Sequence, residues 1–169
     1  AANVILSTVP SVRISGKELK RDYARDTLST LSVKLGDKEA EITYDTEIKG
    51  SGTKGVAPEI GPLLRACGLS EAITVGTNVV YMPRSEFLES ITMYVYKDAI
   101  LHKVTGCVGE PKIDLTAGEY GKISWMFKGK YVSPVASGVL STTANATTPP
   151  IVHNANLVVT TGSYSPIAT

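Results

Sequence analysis

Between Glu41 and Lys49 the side chains alternate strictly: Ile42, Tyr44, Thr46 and Ile48 face one way, and Glu41, Thr43, Asp45, Glu47 and Lys49 the other. A repeat of two is the period of an extended strand with one face against a core. The chain is therefore expected to build a sheet that is apolar on one side and polar on the other. Further strands are expected at Asn78 to Met82, Ile91 to Lys97, Ala99 to Thr105, Lys112 to Thr116 and Lys122 to Lys128. Lys97-Asp98-Ala99 and Ala117-Gly118-Glu119 supply turn chemistry between them, the second with a glycine available for positive φ. Ile113 and Leu115 fall on the side of Ile123, Trp125 and Phe127, while Lys112, Asp114, Lys122, Ser124 and Lys128 take the opposite face.

The alternation is interrupted once by helical spacing. Gly50-Ser51-Gly52-Thr53-Lys54-Gly55-Val56-Ala57-Pro58 reads as a mobile or specially folded loop, because its glycines open backbone conformations closed to other residues. After it, Pro58-Glu59 fits a first helical turn, Leu63, Leu64 and Cys67 recur at helical spacing, and Gly68 stands where a left-handed cap belongs. A helix over about 58–67 is expected, with a start delayed to Pro62 as the variant that Gly61-Pro62 allows. The fold class that results is mainly β, an antiparallel β-sandwich or barrel with one flanking α-helix.

Composition divides the chain into three. Residues 1–40 read as an irregular N-terminal arm whose mixed-charge run from Lys17 to Asp26 is a solvated face or an ionic contact to a neighbouring copy. Residues 41–132 hold the β core. Residues 133–169 contain no Asp, Glu, Lys or Arg and carry one short strand candidate at Leu157 to Thr161. An uncharged, extended arm of this kind either lies along the sheet edge of a partner or packs as a loop on its own domain.

With 17 basic and 16 acidic side chains, the formal charge of +1 excludes a dedicated electrostatic nucleic-acid binder. No apolar run approaches a membrane span, so a soluble, uncleaved protein is expected. Cys67 and Cys107 are too few for a disulfide scaffold and read as buried thiols or a single bridge; His102 and His153 do not complete a zinc site. Phosphate-cradling and nucleophile-elbow motifs are absent, and Asp45 and Glu47 on one strand face read as solvated carboxylates. No enzyme, cofactor or metal is expected.

Three segments in order carry a family resemblance. The run from Glu47 to Leu69 contains Gly50-Ser51-Gly52-Thr53-Lys54-Gly55 and then Gly61-Pro62-Leu63-Leu64-Arg65-Ala66-Cys67-Gly68. The aromatic hairpin Thr92-Met93-Tyr94-Val95-Tyr96 to Lys103 and the turn Leu115-Thr116-Ala117-Gly118-Glu119 follow it. Over roughly residues 20–132 the chain resembles the tail tube (major tail) proteins of long-tailed bacteriophages. The resemblance implies a structural virion subunit that self-assembles into stacked hexameric rings, a hollow conduit for DNA. It also implies assembly in the host bacterial cytoplasm, with tape-measure, baseplate initiator and terminator proteins as further partners. In such tubes the inner sheets join around the ring and loops reach the next ring; some relatives continue past the length of this chain into another β-rich portion.

On that reading Glu41, Asp45 and Glu47 are the candidate lumen-facing residues, since carboxylates leave a duplex mobile where lysines would grip its phosphates. Gly50, Ser51, Gly52, Thr53, Lys54 and Gly55 form the candidate inter-ring loop. The alternative is a receptor- or carbohydrate-binding β-sandwich module of a virion or fibre, with Tyr94, Tyr96, Tyr120 or Trp125 stacking on a sugar.

Overall fold

A computed structural model of the chain describes residues 4–19, 34–97, 99–136 and 147–153. Its strands are β1 (Ser11–Leu19), β2 (Lys34–Glu47), β3 (Leu69–Thr74), β4 (Asn78–Pro83), β5 (Ile91–Lys97), β6 (Ile100–Asp114) and β7 (Lys122–Ala136), with the helix α1 (Gly61–Ala66) between β2 and β3. Five strands form one antiparallel sheet in the order β1-β2-β7-β6-β5, and β3 pairs with β4 in a separate hairpin. The architecture is mainly β with one short helix, packed in sandwich fashion, and the large sheet stays open rather than closing into a barrel.

The period-two pattern places the core as expected. Ile42, Tyr44 and Thr46 of β2 stand opposite Phe127, Trp125 and Ile123 of β7, and all six are buried. Phe127 and Trp125 stack at 5.8 Å between ring centroids, and the Trp125 Nε1–H donates to Thr46 Oγ1 at 2.8 Å. Two glycines let the core side chains close in, one against a ring and one against Cys107. A Cβ on Gly109 would lie 2.6 Å from Phe127 Cδ1, and one on Gly129 would lie 2.9 Å from Cys107 Sγ. Helix α1 contributes Leu63 and Ala66, with Ile60 just before it, to the same buried cluster.

The helix begins at Gly61 instead of Pro58. Residues before it form a turn in which the Gly61 N–H donates to Pro58 O at 2.9 Å, and Pro62 then occupies the first turn, where its missing donor costs nothing. Gly61 also sits where the Glu71 and Tyr81 side chains press in, 2.8 Å from any added Cβ. The helix ends at Gly68, whose φ of 82° is the expected left-handed cap. Charge fastens the hairpin to it: Arg65 reaches Glu71 at 3.1 Å and Glu89 at 3.3 Å, and Arg84 meets Glu89 at 2.8 Å.

Several expectations are corrected. The supposedly irregular segment before residue 41 contains β1 and the first residues of β2. Val12 and Ile14 do alternate with Arg13 and Ser15, but the apolar signal ends at Gly16, where the register shifts and Lys17 faces two residues of a bulge in β2. The strands expected at Ala99 to Thr105 and Lys112 to Thr116 are one strand, β6, crossing a register shift between Thr105 and Val108 where Gly106 takes a φ of 63°. β7 runs on to Ala136, so the first residues of the uncharged arm belong to the sheet. Strand β3 was not expected, because Leu69-Ser70-Glu71-Ala72-Ile73-Thr74 shows no period of two. The strand candidate at Leu157 to Thr161 and most of the mixed-charge run lie outside the described residues.

Candidate assembly surface

The face of the sheet opposite the core carries charge in rows. Arg13 stands beside Glu41 and Glu41 beside Lys128; Glu47 stands beside Lys122 and Lys122 beside Asp114; Asp45, Ser124 and Lys112 make a third row. Lys128 Nζ lies 3.5 Å from Glu41, and Lys130 Nζ lies 3.4 Å from Asp37. Glu41, Asp45 and Glu47 thus share one face, yet that face is not acidic, since a basic side chain occupies the next strand in two of the three rows. Each exposed cross-strand pair contributes only about 0.2–1 kcal/mol, so the rows matter more for register and partner choice than for stability. Lys49, expected on this face, is buried at 8% exposure with its ammonium 4.0 Å from Glu59, because β2 ends at Glu47 and the alternation ends with it.

The glycine-rich loop is the specially folded one of the two forms expected. Ser51 Oγ donates to Val56 O at 2.9 Å and lies 2.9 Å from Thr53 O, closing the loop on itself. Gly52 and Gly55 have φ of 81° and 68°. Gly55 is buried against the turn between β3 and β4, where an added Cβ would come within 2.4 Å of Gly76 N. Gly50, Gly52, Thr53 and Lys54 remain exposed, so the loop presents a tip on a fixed base.

The aromatic residues separate into two groups. Trp125 is 1% exposed and hydrogen-bonded inside, which removes it as a stacking platform. Tyr94 and Tyr96 are exposed on one face of β5, opposite the inward Met93 and Val95, and Lys103 Nζ lies 5.7 Å from the Tyr94 ring centroid. Tyr120 is also exposed and pairs through its backbone with Ile151. Val152 completes this short ladder, donating its N–H to Glu119 O at 2.9 Å and accepting from Gly118 N at 2.8 Å. The uncharged arm therefore packs on its own domain at residues 151–152, one of the two placements expected of it.

His102 Nδ1 lies 3.0 Å from the Tyr131 hydroxyl. Among the described residues no three His, Cys, Asp or Glu side chains are grouped to hold a metal ion, and no helix is long and apolar enough to cross a membrane. Both thiols are free. Burial, and then the Glu110 carboxylate, push the Cys67 thiol up to about 11, and burial likewise raises Cys107 and the Tyr44 phenol. The folded state holds these protons more tightly than the unfolded chain. Stability is accordingly full below the ordinary thiol value of 9.0 and declines as pH rises toward 11. Urea midpoints are expected to fall steadily over that interval, and Cys67 should react with iodoacetamide at pH 8 roughly a hundred-fold more slowly than a free thiol. A flat stability profile between pH 9 and 11 would contradict this.

No family model, curated protein or solved structure matches the chain.

Proposed function

We propose that the chain is a structural subunit that polymerises with copies of itself into the tube of a long-tailed bacteriophage tail, as stacked six-fold rings around a DNA conduit. The observation that carries this reading is the open, two-faced sheet. Among the described residues β1 forms one border, and β6 has no strand on its outer side beyond Cys107, where its pairing with β5 stops. Exposed Ile14 and Ile113 mark these two borders. Strand edges with unpaired backbone groups and apolar flanks are templates for another strand. Electron microscopy of concentrated protein, alone and with its baseplate initiator, tests the reading: hollow rods or six-fold rings are expected, and persistent monodisperse subunits would overturn it.

The charge rows fit a conduit that does not hold its cargo, because Lys122, Lys128 and Lys130 on the polar face are already opposed by carboxylates. Replacing Glu41, Asp45 and Glu47 together with lysine leaves the core untouched. Rods are expected still to form, while genome delivery slows and the tube acquires salt-sensitive DNA binding. Unchanged delivery kinetics would remove this face from the lumen.

A second reading is favoured by one feature, the exposed Tyr94 and Tyr96 side by side on β5. A stable monomer that binds a glycan array and loses binding in Tyr94→Ala would identify a carbohydrate module instead.

A further inference from the structure

Resting on the tube reading, we propose that β1 of one copy pairs antiparallel with the outer edge of β6 of the next, along the stretch past Cys107 that no described strand covers, in a single register: Arg13 with Asp114, Ile14 with Ile113, Ser15 with Lys112 and Lys17 with Glu110. Directions permit it. Each neighbour in the order β1-β2-β7-β6 is antiparallel, so β6 runs opposite to β1 in a neighbouring copy turned about a ring axis. Length permits it as well. The pairing of β5 with β6 ends at Cys107, and in this register Leu19, the last residue of β1, comes level with Val108.

The faces agree. Ile14 opposes Ala40 and Ile113 opposes Ile123, both buried, so the two isoleucines belong to the core side; they are 45% and 58% exposed and would cover one another. Arg13 opposes Glu41, and Asp114 opposes Lys122, on the charged side. Charge then selects among registers. A slip of two residues brings Arg13 or Lys17 against Lys112, and a slip of one turns the isoleucines onto the charged face. In the proposed register one row alternates in sign across the junction: Glu47, Lys122 and Asp114, then Arg13, Glu41 and Lys128 of the next copy. Pro111, which has no N–H to give, meets Gly16, a residue without a side chain beside the register shift between β1 and β2.

An independent geometric consequence agrees with closure. Within one copy Arg13 lies level with Glu41, Lys128 and Val108 across four strands. Joining the next Arg13 to Asp114 displaces each copy along the strands by the distance from Val108 to Asp114, roughly 20 Å at about 3.3 Å per residue. Four strands at about 4.8 Å each are roughly 19 Å wide. Their ratio is a strand tilt of about 45°, at the upper end of what closed barrels adopt. The register chosen by charge and apolar matching thus also has the stagger that a closed cylinder requires.

The test uses reversals and cross-links in the full chain. Arg13→Asp and Asp114→Arg are surface changes; each alone is expected to raise the protein concentration needed for rods at least about five-fold, and the double reversal to recover a clear part of that rise, the remainder coming from the like charges then met at Glu41 and Lys122 within each copy. Ile14→Cys with Ile113→Cys, oxidised after assembly, is expected to give a covalent ladder of subunits on a non-reducing gel, and neither single cysteine should. Wild-type rods with unaffected single reversals and no ladder would overturn the register while leaving the tube intact. Failure of the wild type to form rods with its initiator would overturn the tube and the pairing together.

Discussion

Trp125→Ala is expected to lower the free energy of unfolding by about 4 kcal/mol. The indole is 1% exposed, stacks on Phe127, and is the donor to a Thr46 hydroxyl that is itself 4% exposed. Truncation opens a cavity between β2 and β7 and strands a buried hydroxyl, and the two costs fall on the same pair of strands. Urea unfolding followed by circular dichroism measures the loss, since the single tryptophan is the residue removed. Trp125→Phe keeps most of the apolar area but not the donor, so about half the loss is expected there. A fall below about 1 kcal/mol for the alanine variant would mean that this row of side chains is not the centre of the core.

Gly55→Ala is the second large effect, and Gly76→Ala is its control. Both glycines have left-handed φ, 68° and 74°, so both substitutions strain the backbone. They differ in surroundings: a Cβ on Gly55 meets backbone atoms of Thr74, Val75 and Gly76 at 2.5, 2.9 and 2.4 Å, whereas nothing lies within 4 Å of one on Gly76. About 3 kcal/mol is expected for Gly55→Ala and about 1 kcal/mol for Gly76→Ala. The difference measures how firmly the loop is seated on the hairpin. Equal losses would show that the seating contributes nothing.

The strands that alternate cleanly and lie in the middle of the sheet, β2 and the first half of β7, were legible from periodicity alone, because a one-residue slip there would bury charge. The helix cap at Gly68 was legible for a comparable reason, since few residues besides glycine take a φ of 82°. The border strand β1 was not, because little buries it and its apolar alternation stops at Gly16. Neither was the bulge inside β6, where Gly106 resembles an ordinary turn glycine. The three carboxylates were correctly grouped on one face; the lysines that stand beside Glu41 and Glu47 come from a strand far away in sequence, and only the pairing register brings them there. The side on which Trp125 lies was legible in the same alternation, which groups it with Ile123 and Phe127; its bond to Thr46 was not, because no periodicity links two distant strands.

The Trp125 and Thr46 partners are 79 residues apart in sequence, and β2 fills the place between β1 and β7. A ribosome must therefore release nearly all the described chain before the middle of the sheet can form, and folding is slowed by the long closure this demands. Until then the nascent chain shows its neighbours an incomplete border with no fixed alignment. For the proposed tube, the order of strands would thus delay recruitment into the polymer until β7 has been made, a timing device that requires no separate inhibitor.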